Sequence, residues 1–202
     1  VVVASSTDAS RQTLGVGARI RVDAPPGSVW AYLAVRGGIA VDDVLGSRSQ
    51  DTLGGIGPVA LATGSALPVG PDPGTDLAAD HAPPRGAADV RVRIWDGPQH
   101  DWFVGGTQSL IRQSWRITSE LSRVGVRLEG GPFDPSTRSQ GQMPSIGLTA
   151  GAVQVTPSGE PIVMLANHPT TGGYPVIAVV EPDDLPDLAQ CRPGASVRFR
   201  RA

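Results

Sequence analysis

Two threonine hydroxyls, two glycines and a phenol are crowded into one short stretch, Asn167-His168-Pro169-Thr170-Thr171-Gly172-Gly173-Tyr174-Pro175. Thr170 and Thr171 offer O–H groups that both donate and accept, Gly172 and Gly173 offer bare backbone N–H groups, and Tyr174 offers a phenol. That inventory suits a carboxylate, a phosphate or an amide. It also suits a glycine-bearing turn with Tyr174 packed on the structure beneath it, and the local sequence leaves both readings open. Gln154 is a polar side chain in the valine-rich run Ala152-Val153-Gln154-Val155, facing either a cleft or solvent. A second candidate lies at Arg36-Gly37-Gly38, just after the apolar run that ends at Val35. Arginine supplies a fixed cationic fork, and glycine lets a backbone approach an anion closely. The alternative there is two tight turns whose glycines serve backbone geometry.

The other reactive residues form no pattern. His81, His100 and His168 are scattered without metal-ligand spacing, so no metal site is expected. Cys191 is the only cysteine, which excludes a disulfide framework; it reads as a small buried hydrophobe. No Ser/His/Asp order or close carboxylate pair stands out, and no residue is assigned a catalytic role. There is no phosphate-binding P-loop or dinucleotide fingerprint.

These residues must be positioned by short elements. Glycine (26) and proline (19) are spread along the 202 residues and punctuate them into many segments, as in a strand-rich fold with frequent turns. Strands are expected at "ARIRV" through Ile20 and Val22, at Val29–Val35, and at Val90–Trp95, where valine and isoleucine alternate with arginine as on a strand with one wet face. Further strands are expected at "GVRLEG", "AVQV", "PIVMLA", "VIAVV" and "SVRFR", with "TPSGEP" as a hairpin turn built on Ser158-Gly159. Short helices are expected within 101–112 and 183–190. Residues 71–89 read as a linker or long loop and 134–147 as an irregular loop, which sets lobes at 1–70 and 90–202.

Bulk composition narrows the classes. The formal net charge is -2, with 40% hydrophobic and 18% charged residues, so no basic field points to nucleic acid or anionic lipid. No apolar run is long enough to span a bilayer. The cysteine usage makes the cytoplasm the expected compartment.

In order along the chain, "YLAVRGGIAVDDVLGSRSQDTLGGIGP", "GPQHDWF", "SRVGVRLEG", "GAVQVTPSGEPIVMLANHPTTGGYPVIAVV" and "DLAQCRPGASVRF" resemble the carboxyltransferase family of C/D subunits. That family takes in KipA-like proteins, the so-called allophanate hydrolase subunit 2 and the C subunit of 5-oxoprolinase. The resemblance covers about Ala18 to Phe199 and the family's C-terminal two thirds. It implies a mainly β fold of cyclophilin-like β-barrel lobes with a few short helices, the first lobe being partial because a "TVQDLGRPG"-like segment has no counterpart. It implies a KipI-type partner subunit and a small-molecule amide substrate. Three activities are in view. The first is a subunit of an ATP-dependent 5-oxoprolinase-like amidohydrolase, a cyclic-amide hydrolase using ATP within the complex. The second is the carboxyltransferase component of a urea carboxylase-type enzyme, fed by carboxybiotin. The third is a non-catalytic KipA-like regulatory binding protein. Substrate-binding residues expected from the motifs are Gln154, Thr170, Thr171, Gly172, Gly173 and Tyr174, with Arg36, Gly37 and Gly38 supplying anion contacts or shape. Ser122, Ile146 and Asn167 stand where the family commonly carries acids, which removes carboxylates of the kind that general acid–base chemistry uses.

Overall fold

The computed structural model describes residues 2–5, 11–74, 89–131, 133 and 143–202. The chain divides into two compact units, one comprising Val1–Pro26 and Trp30–Pro84, the other Gly27–Val29 and Arg85–Ala202. Most of the expected 71–89 linker, and residues 134–142 of the expected irregular loop, lie outside the described residues.

The second unit is a closed barrel of seven strands. Its members are β4 (Asp89–Asp96), β5 (Ser114–Leu121), β6 (Gly125–Glu129), β8 (Ala152–Val155), β9 (Pro161–Met164), β11 (Val176–Val180) and β12 (Ser196–Arg201), ordered β11-β4-β12-β5-β6-β9-β8 around the wall. Closure leaves no unpaired strand edge. The wall forms because these segments alternate. In β4, Val90, Val92 and Ile94 point inward while Asp89, Arg91 and Trp95 face water. Trp115 and Ile117 of β5, Val126 and Leu128 of β6, Val153 and Val155 of β8, and Val197 and Phe199 of β12 complete the filling. Trp115 is central: its ring stacks on Phe133 at 5.4 Å, and its indole N–H donates to Leu110 O at 3.0 Å. Burying these side chains contributes roughly 1.5–3 kcal/mol each.

Two short helices pack against this barrel. The segment expected to hold a helix within 101–112 is divided at Gly105-Gly106 into a 3-10 turn, His100–Trp102, and α1, Thr107–Ile111, which sends Leu110 into the core. Residues 182–190 form a 3-10 turn, Pro182–Asp184, running into α2, Leu185–Ala189, which buries Leu188. The predicted hairpin is present, with β8 and β9 antiparallel and Thr156 N–H donating to Glu160 O at 3.0 Å. A small ribbon, β7 (Ile146–Gly147) paired antiparallel with β10 (Thr171–Gly172), completes this unit. Mainly β, with a closed barrel and a few short helices, is therefore the architecture.

The first unit is built differently. β1 (Val2–Ser5), β2 (Arg11–Thr13) and β3 (Leu33–Val35) form a three-stranded antiparallel sheet, followed by isolated bridges at Ile39–Val69, Val44–Ser47 and Asp51–Ile56. Two expectations fail here. "ARIRV" is not a strand, and the run expected at Val29–Val35 narrows to Leu33–Val35. β-branched residues favour a strand only where a neighbouring backbone pairs with them, and residues 18–22 have no such neighbour among the described residues. No helix among the described residues is long and apolar enough to cross a membrane.

Candidate functional site

Gln154 sits in a strand buried on both faces. Val153 and Val155 fill the barrel, so Gln154 projects outward, yet it is only 3% exposed. The cover is the β7–β10 ribbon. A methyl group in place of the Gly172 hydrogen would lie 2.7 Å from Gln154 Nε2 and 2.8 Å from Leu148 Cδ1. Only glycine lets the ribbon come down this far. The Gln154 amide then donates to Tyr174 O at 3.0 Å. Around it Ala152, Met164 and Val176 form a second small core, packed against Ile146, Leu148, Ile162 and Val179. Gln154 is thus the buried anchor of the ribbon.

The ribbon presents the rest of the expected site. Thr170, Thr171, Gly173 and Tyr174 are exposed, and Gly172 is half-buried over Gln154. Thr170 O accepts from Leu148 N–H at 2.9 Å, which ties the loop to the residue after β7. Ser145 is a hydroxyl that sequence reasoning passed over. It is exposed, and its Oγ and the Met143 carbonyl are the groups nearest to the open side of Gly173. Its signal was present in "PSIG", but it emerges only when β7 pairs with β10.

Of the three positions without acids, one lies in the ribbon and the other two meet at the β5–β6 turn. Ile146 pairs with Gly172 across the ribbon. Ser122 Oγ accepts from Val124 N–H at 3.1 Å and shapes the β5–β6 turn. Asn167 N–H donates to Arg123 O of that turn at 3.0 Å. Asn167 Nδ2 is buried and has no hydrogen-bond partner among the described residues. An unmet buried donor costs about 1–3 kcal/mol. Beside it His168 Nδ1 lies 2.8 Å from Pro169 O. A carbonyl only accepts, so Nδ1 is the donor in this contact.

Arg36, Gly37 and Gly38 are not part of this ribbon; they belong to the first unit. Gly38 N–H donates to Val35 O at 2.9 Å, closing a turn in which Gly37 has φ +90. The open side of Gly37 meets the Gly70 and Pro71 carbonyls, and Gly70 N–H returns to Gly38 O at 3.0 Å. Arg36 Nε donates to Asp72 Oδ1 at 2.6 Å. The Gly74 backbone N–H and then Arg36 hold the Asp72 carboxyl below its ordinary range. The turn is shaped by contacts with 68–72 and its cation already faces a carboxylate.

Arg127 is likewise committed, to Glu120 at 3.0 Å and Glu160 at 2.9 Å. Cys191 is buried, with its thiol donating to Asp187 O at 3.3 Å. Among the described residues no three His, Cys, Asp or Glu side chains converge. The ribbon and its flanks therefore present the exposed residues Ser145, Thr170, Thr171 and Tyr174.

Solved structures share the fold of this chain. The crystal structure of TTHA0988 superposes with a TM-score of 0.69 at 36% identity, over 84% of this chain and 33% of that one. The urea amidolyase of K. lactis superposes with a TM-score of 0.70 at 26% identity, over 85% of this chain and 12% of that one. The family described as carboxyltransferase domain, subdomain A and B, matches residues 5–201, and the chain belongs to it. Among curated proteins it is 34% identical over 197 residues to the C subunit of 5-oxoprolinase from Escherichia coli, covering 94% of this chain and 61% of that protein. The chain thus spans about three fifths of the length of that relative.

Proposed function

We propose that the chain is part of a subunit of an ATP-dependent 5-oxoprolinase-like amidohydrolase, acting on a small lactam or other cyclic amide with a KipI-type partner subunit. The observation that carries this reading is the 34% identity to the C subunit of 5-oxoprolinase across 94% of the chain. The chemistry of the ribbon supports it. A lactam is neutral, with one carbonyl acceptor and one N–H donor, and Thr170, Thr171 and Tyr174 offer uncharged partners for both. Gln154 acts by holding the loop through Tyr174 O, and Gly172 and Gly173 let the backbone lie close. The barrel would correspond to a complete cyclophilin-like lobe over 90–202, with 1–70 contributing to another, and the complex would work in the cytoplasm.

The Arg36–Gly38 turn does not fit a phosphate. The open side of Gly37 faces carbonyls, and Arg36 is on Asp72. We derive no step through ATP on this chain; nucleotide binding is assigned to the partner subunit, and the turn contributes shape. The test is co-expression of the full-length protein with its KipI-type subunit and an assay for ATP-dependent glutamate formation from 5-oxoproline. The expected result is turnover that falls about tenfold in Tyr174→Phe or Thr171→Ala, the value of one hydrogen bond. An intact pair that forms no glutamate sinks the reading.

The likeness to a urea amidolyase favours one second reading. In it the same ribbon holds the neutral acceptor of a carboxyl group delivered by carboxybiotin. Labelled bicarbonate passing to urea only in the presence of a biotinylated carrier would select it over amide hydrolysis.

A further inference from the structure

All 17 lysine-or-arginine positions of this chain are arginine, and four of them stand together on the outside of the barrel. β4 and β12 run parallel, with Arg91 beside Arg198 and Arg93 beside Arg200, while the intervening Val92 and Phe199 point into the core. Adjacent strands lie about 4.8 Å apart, so like charges are held side by side, an arrangement that costs stability. Local acids relieve only part of it. Asp184 takes Arg93 in a fork, with Oδ2 3.0 Å from Nε and Oδ1 2.8 Å from Nη2. Arg91, Arg198 and Arg200 are exposed and make no ion pair among the described residues.

Trp95 is the next outward residue on β4. It is 57% exposed, and its indole N–H is fixed on Glu181 Oε2 at 2.8 Å. An exposed, oriented tryptophan in line with unpaired arginines has the composition of the centre of a protein–protein interface. The face lies along a barrel wall, so it suits an extended surface. Guanidinium groups match carboxylates in planar, two-point contacts. Glu181 and the exposed Asp89 and Asp183 sit within or beside the same face. They would repel a continuous polyphosphate and are compatible with a protein surface that mixes acids with a few bases.

We propose that the outer face of β4 and β12, carrying Arg91, Arg198, Arg200 and Trp95, docks an acidic protein surface. Resting on the proposed function, the occupant is the KipI-type subunit. The position is suited to this role, because β11 lies between β4 and β8, the strand that carries Gln154 under its ribbon. A subunit seated on β4 and β12 would leave Thr171 and Tyr174 open to substrate.

The experiment measures binding of the full-length protein to the purified KipI-type subunit by titration calorimetry at low and high salt. The charge reversal Arg91→Glu/Arg198→Glu/Arg200→Glu is expected to weaken Kd at least about tenfold at low salt and to flatten its salt dependence. Trp95→Ala is expected to weaken Kd by a similar factor with the salt dependence intact. Arg91→Ser/Arg198→Ser serves as a milder variant if the reversal fails to fold. Wild-type binding that the folded variants leave unchanged overturns this proposal and spares the proposed function. Absence of binding by the wild-type protein overturns both. Lost retention on heparin with unchanged affinity for the subunit also overturns it, by giving the face to a polyanion.

Discussion

The two units of this chain solve the folding problem in different ways. In the second, the barrel strands send side chains into one closed interior, and Val92, Leu128, Val153, Ile177 and Val197 are fully enclosed. In the first, Pro25 apart, no apolar side chain within residues 12–74 is buried. Leu45, Leu53, Val59 and Leu61 are each more than half exposed. What holds that unit is backbone hydrogen bonding across turns, with the 35–38 turn and the 68–72 segment facing each other through Gly37 and Gly70. Burial per residue, and not the number of hydrogen bonds, decides which unit can keep a precise surface such as the ribbon over Gln154.

The contrast is most exposed to test at the barrel's central tryptophan. Trp115→Ala is expected to cost about 3–5 kcal/mol in urea unfolding of the second unit, whereas Leu53→Ala is expected to change stability by no more than about 0.5 kcal/mol. A Leu53→Ala cost near that of Trp115→Ala would show that the first unit has a core after all. Next comes the backbone. Gly37→Ala must combine a left-handed φ with a methyl group against the Gly70 carbonyl, while Gly38→Ala meets open space at φ +72. Gly38→Ala should cost about 1–2 kcal/mol and Gly37→Ala more, seen as faster amide exchange across 33–41 and 66–72. Equal exchange in the two variants would mean that the close approach to Gly70 adds nothing to the cost of the left-handed backbone.

Gln154→Leu tests the link between core and site. It strands the Tyr174 carbonyl and should cost about 1–3 kcal/mol. In the active complex it should raise KM more than it lowers kcat, because the loop is displaced while its hydroxyls remain. The smallest effect is electrostatic. Arg93, by hydrogen bonding, holds the half-buried Asp184 carboxyl below its ordinary pKa against the cost of partial burial. A depressed folded pKa means that the stabilisation is complete above the unfolded value, about 3.9, and is lost as pH falls through the folded one. Thermal melts of Asp184→Asn should therefore show a lower Tm than wild type at pH 6, converging with it below pH 4. A constant gap down to pH 2 would locate the effect in packing.

Much of the barrel was legible because alternation is a local signal. Val90–Trp95, "GVRLEG", "AVQV", "VIAVV" and "SVRFR" all became wall strands. Ser114–Leu121 went unread although Trp115 and Ile117 alternate inward, since the helix expected just before it ended close to its start. β7 and β10 are two residues each, too short to carry any period. The Thr170–Tyr174 loop was recognisable by type but not by role, and nothing local told Ser145 that it would face Gly173.

The amino-acid sequence by itself determined the period of the strands, the turn at Ser158-Gly159, the outward arginines of β4 and the hydroxyl-rich loop, because each depends on residues within a few positions of one another. Tertiary structure alone decided that Gln154 is buried though it points away from the barrel core, that the Asn167 amide lacks a partner among the described residues, and that Arg91 and Arg198 share one face. Those outcomes rest on which strands become neighbours. Neighbour choice follows from closing a single barrel around a shared core, a free energy summed over residues far apart in the chain.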